Sequence, residues 1–208
     1  MMDVYSDKSQ IFDRYTLRWP KAKDRLLMPG RDIHIADCID ERSYRLLKGY
    51  KRAGDILVQQ ALSDRTDSEN LVFPALFNYR HFIELALKSI IEKHGPFAGI
   101  TDFNRNHRLP ELWSLFLKIA ISFHDDPEEL AAVGVGKCIR ELAKIDANST
   151  AFRYVTNLDG EISTLPDWLD LTNLHDVMNG IENFFECADL GFSEKTQHAF
   201  DQSYDQTW

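Results

Sequence analysis

The sequence predicts an all-α fold, an up-and-down bundle of four to five helices preceded by an irregular N-terminal arm. Three observations predict it. Apolar residues recur at three- and four-residue steps through several long windows. Polar clusters or Gly/Pro pairs separate those windows. Strand-like and helix-like segments nowhere alternate, which rules against a doubly wound sheet. With 208 residues, 44% hydrophobic, and 13 Phe, 7 Tyr and 4 Trp, the chain carries enough apolar surface to close a core within one domain.

Residues 1–41 lack sustained periodicity. They contain Pro20, Pro29, Gly30 and a β-branched patch at Ile33–Ile35, and read as an arm with one short strand or helical turn. A helical domain then occupies residues 42–190. Its first helix runs from Glu41 to Leu62 on the spacing of Leu47, Tyr50, Gly54, Leu57 and Ala61, and the polar cluster at residues 63–70 stops it. The second spans about Leu71 to His94, with Gly95 as cap and Pro96 barring continuation. The third covers about Leu109 to Phe123, with Pro110 in its first turn. The fourth opens at Asp126-Pro127-Glu128-Glu129, which offers a capping carboxylate, a proline at the first position and acids facing the helix dipole. It ends near Asp146. Residues 152–167 form a loop with a turn at Asp159–Gly160, and a fifth helix follows from Pro166 or Leu171 to about Ala188. Residues 191–208 read as a polar tail that frays.

A formal charge of -9 argues against an indiscriminate binder of polyanions, because the average field repels phosphate. A local basic face remains compatible with RNA. Cys38, Cys138 and Cys187 are odd in number and form no CxxC pair, so neither a zinc knuckle nor a disulfide framework is expected. The opening residues MMDVYSDKSQ are polar, and no apolar run approaches the roughly 20 residues of a membrane helix. A cytoplasmic protein without membrane contact, metal or cofactor is the expectation.

The second helix carries charge where the pattern calls for oil. At about 100° per residue, Phe73, Phe77, Leu87 and Ile91 fall within about 60° of Arg80, and Glu84 lies about 40° from it. Lys88 continues the row at its margin. Charges on a core-facing stripe cost desolvation and must be paired or used. Two readings fit: an i,i+4 ion pair that snorkels to the bundle edge or anchors a loop backbone, and an interior polar site. His81, at the edge of the stripe, fits either.

The succession FIELALKSIIEKHG, a short loop and NHRLPELWSLF is similar to the pattern of HEPN domains, in which an apolar helix bearing an acid and a lysine precedes a His-led, Leu-rich helix. The matching positions are Glu84, Leu87, Lys88, Asn106, His107, Leu109 and Leu112. The later segment DANSTAFRYVTNLDG resembles one found in bacterial HEPN-like proteins, with Asp146, Ser149, Phe152, Arg153 and Tyr154. The resemblance spans roughly residues 70–190. It implies a helical bundle that forms a homodimer and targets RNA in bacterial defence or toxin–antitoxin systems, with a protein antitoxin as a further partner. Activity is left between two classes: a metal-independent endoribonuclease, or a non-catalytic module for dimerisation and partner binding. HEPN nucleases carry an Arg four to six residues before a His, and no His in this chain has one. A site would therefore be assembled from separate segments.

Metal-free RNA cleavage needs a base for the 2′-hydroxyl, an acid for the leaving oxygen and cations on the phosphate. His107, His81, Arg80, Glu84 and Arg153 are the catalytic candidates. His107 or His81 suits proton exchange, and Arg80 and Arg153 suit bidentate phosphate binding. Bland readings stand beside these: His107 bonding the start of the third helix, and Arg153 fixing its loop alongside Asp146. Asn106, Asp146 and Ser149 are assigned to a structural polar network. On the first helix Arg45, Lys48 and Arg52 share a face, a stripe that with Lys88 either tracks an RNA backbone or is simply solvated. His124-Asp125 invites a metal-phosphohydrolase reading but lies within a helix-start signal. Gly134-Val135-Gly136-Lys137-Cys138 lacks the leading Gly, the Ser/Thr and the preceding strand of a phosphate loop, so its glycines point to close helix contact.

Overall fold

The chain divides into two compact units, Met1–Ala36 and Asp37–Trp208. The computed structural model describes residues 21–27, 39–126, 129–154, 156 and 165–205. In the first unit the described residues form a tight turn, in which Lys21 N donates to Asp24 Oδ2 at 2.7 Å. The patch expected at Ile33–Ile35, the turn at Asp159–Gly160, and Cys38 lie outside the described residues.

The second unit is an all-helical bundle, with no strand among the described residues. Its helices are α1 (Ile39–Ser63), α2 (Ser68–His94), α3 (Leu109–Ser122), α4 (Leu130–Ile145) and α5 (Leu171–Asp205), with a 3₁₀ turn at Gly95–Ala98. The central element is α2, which packs against α1, α3 and α5. It buries Phe82, Ile83, Leu87, Ile90 and Ile91, which meet Leu112, Phe116 and Ile119 of α3 and Met178, Ile181 and Phe185 of α5 in one core cluster. Each fully buried side chain of this size contributes about 1.5–3 kcal/mol. No helix among the described residues is long and apolar enough to cross a membrane.

Several boundaries differ from the sequence pattern, each for a visible reason. Helix α2 starts three residues before Leu71 and carries Pro74 inside it. Both Pro74 and Asn70 are exposed, so water can satisfy the carbonyl that lacks a proline N–H partner. Gly95 does not terminate the run in a left-handed conformation: its φ is -54°, and the chain continues into the 3₁₀ turn until Gly99 at φ 73°. Gly95 is required instead by crowding, since a Cβ there would lie 3.0 Å from Ile100 O. The described part of α4 begins at Leu130, after Glu129 rather than Asp126, and Pro127 and Glu128 are outside the described residues. His124 adopts φ 61° and turns the chain out of α3, so His124-Asp125 marks a helix end.

The largest correction concerns the C-terminus. Residues 192–205 are not a frayed tail but the last turns of α5, which extends to Asp205; residues 206–208 lie outside the described residues. Phe192 is 1% exposed and stacks on Phe123 with ring centroids 5.0 Å apart, beside His94 and Phe116. That anchor keeps the helix running through a glycine.

Close approach of α1 and α2 depends on Gly54. A Cβ there would sit 2.5 Å from the ring of Tyr79, which is buried and donates its hydroxyl to Asp55 at 3.0 Å. Gly49, one and a half turns earlier, is exposed with nothing within 4 Å of an added Cβ. Gly54→Ala should therefore cost about 1–3 kcal/mol through overpacking, whereas Gly49→Ala should stabilise by about 0.5–1 kcal/mol. Urea midpoints of the two variants, moving in opposite directions, test the helix pairing.

Candidate functional site

Arg80 is completely enclosed, at 0% exposure, and its guanidinium gathers three segments. Nη1 donates to Glu84 Oε2 at 2.9 Å, Nη2 to the carbonyl of His107 at 2.6 Å, and Nε to the carbonyl of Asp146 at 3.3 Å. The Asp146 carboxylate also stands 3.2 Å from Nε through Oδ2, an ion-pair distance, while the N–H points at the carbonyl. One side chain on α2 thus ties down the lead-in to α3 and the exit from α4.

Glu84, 1% exposed, is the hub of the cluster. Oε1 receives Lys88 Nζ at 2.8 Å and His107 Nδ1 at 2.7 Å, and Oε2 receives Arg80. Burial pushes its pKa up, but the hydrogen bonds from Lys88, His107 and Arg80 prevail and hold it below the ordinary 4.5. An ionised carboxylate only accepts, so His107 must donate through Nδ1–H. The His107 side chain is 59% exposed, and its Nε2 has no partner among the described residues. Lys88 also reaches the carbonyl of Arg105 at 3.3 Å, closing the loop over the cluster.

Asp146 shapes the other loop. Its Oδ1 accepts the backbone N–H groups of Thr150 (2.6 Å) and Ala151 (3.0 Å), and Ser149 takes φ 61°. The carbonyl of Ser149, not its hydroxyl, accepts Nε of Arg153 at 2.7 Å and Nη2 as well. The Arg153 guanidinium stands 5.5 Å from the ring of Phe77 and 5.5 Å from that of Tyr154. Phe77 in turn stacks nearly parallel on His81, at 5.7 Å and 7°, and Tyr50 meets His81 edge-on at 4.3 Å. Burial, with the positive charges of Lys88 and Arg80 against the pull of Glu84, holds His81 below the ordinary imidazole range.

Of the sequence-predicted residues, the structure brings together Arg80, Glu84, Lys88, His107 and Asp146, and sets His81 and Arg153 beside them. Several expected roles change. Arg80 has no open face for a phosphate and acts as an internal clamp. Lys88 likewise serves Glu84 and the Arg105 carbonyl. Asn106 stands apart from the cluster: it accepts the N–H of Arg108 at 3.0 Å and donates to Glu111 at 2.5 Å, closing the first turn of α3. The basic stripe on α1 is broken up, since Arg45 pairs with Glu41 and Lys48 with Glu182 and Glu186 of α5. Arg52 is exposed. Gly136 fits the close-contact reading, for a Cβ there would lie 3.0 Å from Trp113 Nε1, but Gly134 does not: it is exposed, with nothing within 4 Å of an added Cβ.

Two further polar clusters carry little or no local sequence signal. Lys51, 2% exposed, bonds Asp55 and Asn179 at 2.8 Å each, with the Tyr79 hydroxyl on Asp55. Only its i,i+4 relation to Asp55 was readable. His94 is 1% exposed and meets Asp189 at 2.8 Å, across 95 residues of sequence. A groove of about 610 Å³ lies between α1, α2 and α5, lined by Leu47, Phe82 and Phe185 together with Lys48 and Lys93 and the carboxylates that pair with them, Glu182, Glu186 and Asp189; His107 does not border it. Among the described residues no cluster of His, Cys, Asp and Glu suits a metal ion.

With the geometry in view, comparison with family models, curated proteins and solved structures finds no match for this chain.

Removing one member of a buried charge cluster strands the others, at a cost of about 3–5 kcal/mol. Arg80→Met should lower the unfolding free energy by that amount in urea titration. Part of the acid sensitivity should trace to Glu84, beside Glu182 and Asp189, which are also held below their ordinary values. The pKa of Glu84 is lower folded than unfolded, so the unfolded chain binds the proton first as pH falls. The stabilisation is complete above the ordinary value and lost as pH drops through the folded one. Between about pH 6 and about pH 3, urea midpoints should therefore fall more steeply for the parent than for Glu84→Gln.

Proposed function

We propose that this chain is a HEPN-like RNA-targeting protein of the bacterial defence or toxin–antitoxin type, a metal-independent endoribonuclease whose proton-transfer group is His107. The observation that carries the reading is the His107 Nδ1–Glu84 Oε1 hydrogen bond at 2.7 Å, made by an imidazole that is itself 59% exposed. A buried carboxylate that accepts Nδ1–H selects the tautomer with a free lone pair on Nε2, the form a general base requires.

On this reading Nε2 takes the 2′-hydroxyl proton as the 2′-oxygen attacks the adjacent phosphorus. The bond from phosphorus to the 5′-oxygen breaks, the leaving oxygen takes a proton from water, and the products are a 2′,3′-cyclic phosphate and a 5′-hydroxyl. Glu84 orients the ring and stabilises the imidazolium that forms. Arg80 and Lys88 keep Glu84 ionised and in place, as positioning residues. Phosphate charge falls to Arg153 and to Arg105 and Arg108, which flank His107. The latter two are paired to Glu92 and Glu111 at exposed positions, where ion pairs are weak and exchange readily. Partner subunits or an antitoxin belong to the same proposal.

One observation favours the non-catalytic alternative. Arg80 spends its hydrogen bonds on Glu84 and two backbone carbonyls, a complete structural role for the core of the cluster. The two readings part in one assay. Purified protein at micromolar concentration should cut single-stranded RNA in EDTA, and His107→Ala should slow the cut by about 10²–10⁴-fold. No cleavage by the parent, or undiminished cleavage by His107→Ala, overturns the enzyme reading.

A further inference from the structure

We infer that Tyr154, Arg153 and Phe77 form a platform that binds an unpaired RNA base together with its phosphate, so that the substrate class is single-stranded RNA. The inference rests on the RNA reading above and adds what it lacks, a surface that selects the strand.

Arg153 is fixed rather than free. Two of its N–H groups go to the Ser149 carbonyl, and Ser149 is held by the turn that Asp146 organises. Its remaining N–H groups have no partner among the described residues, and no carboxylate there pairs with it, although the chain carries a net charge of -9. A guanidinium held in place, with no carboxylate partner among the described residues, is suited to an anion.

The anion would come with rings attached. Tyr154 is 61% exposed, and the guanidinium stands over its ring and over that of Phe77, 5.5 Å from each centroid. Beyond Phe77 the π-faces continue through His81 to Tyr50. The series Tyr154, Arg153, Phe77, His81 therefore leads from an exposed aromatic face to the residue beside Arg80, whose Nη2 holds the carbonyl of His107. Stacking on aromatic and guanidinium planes binds bases regardless of identity but needs them unpaired, since a duplex keeps its faces inside. A folded partner protein would find a single cation among rings; an unpaired nucleotide finds both of its chemistries met.

The test measures binding apart from cleavage. In a His107→Ala background, fluorescence anisotropy reads the affinity for a fluorescein-labelled oligouridine and for the same strand annealed to oligoadenosine. Binding to the single strand should exceed binding to the duplex by about ten-fold or more. Tyr154→Ala should weaken single-strand binding by about ten-fold, and Tyr154→Phe, which keeps the ring, should retain it. Arg153→Gln should weaken it and reduce the dependence of log affinity on log salt by about 0.7, the share of one phosphate. Both positions are exposed, and far-UV circular dichroism melts will verify that each variant is folded. Parent-like affinity in Tyr154→Ala and Arg153→Gln, or equal affinity for the duplex, overturns the platform and leaves the RNA reading standing. No binding of either RNA by the parent overturns both.

Discussion

The ion pair between Arg80 and Glu84 is the constraint on which the rest of the structure depends. Both groups are withdrawn from water, which costs several kcal/mol per ion unless every lone pair and N–H finds a partner. The cluster answers that demand in part by recruiting backbone. Each guanidinium nitrogen has an acceptor in Glu84 or in the carbonyls of His107 and Asp146, Lys88 and His107 add to the carboxylate, and Asp146 Oδ2 keeps only its ion-pair contact. Two cations, Arg80 and Lys88, balance two carboxylates, Glu84 and Asp146. The same bonds that neutralise the buried charge also fix two loops to the central helix. Apolar packing around α2 could be achieved with many side chains, but only a forked cation at position 80 reaches both loops at once.

Surface chemistry follows from that interior. His107 hangs from Glu84 by one nitrogen and is otherwise exposed, so the core sets its tautomer and leaves its other nitrogen outward. Asp146 caps the loop that turns at Ser149, and the loop delivers Arg153 onto the ring of Phe77. A single buried cluster therefore holds both an exposed imidazole and a cation set against aromatic rings.

Much of the fold was legible in the sequence, because helix periodicity and Gly/Pro punctuation are local signals. The inward placement of Arg80 and Glu84 was legible too: their angles about α2 put them among Phe73, Phe77, Leu87 and Ile91 whatever they bonded to. The i,i+4 pair with Glu84 and a backbone anchor were legible as one of two readings, but which carbonyls Arg80 meets was not, since a backbone carbonyl has no side chain to announce it. Arg80 is enclosed by those carbonyls, against its other reading as a phosphate ligand. Pairings distant in sequence were hidden for the same reason, with Lys48 meeting Glu182 and Glu186 across the bundle and Phe77 meeting Arg153. Helix α5 was cut short in the sequence pattern because the residues after Gly191 are mostly polar, whereas Phe192, seated against Phe123 and His94, holds the helix by tertiary burial.

The account stands on which nitrogen of His107 faces the core. Nitrogen-15 NMR of the histidine side chains, with His107 assigned by substitution, reports the tautomer of the neutral ring directly. A predominant Nδ1–H tautomer for His107, lost in Glu84→Gln, is the result expected from a ring held on a buried carboxylate. A predominant Nε2–H tautomer, or one unchanged by Glu84→Gln, would contradict it.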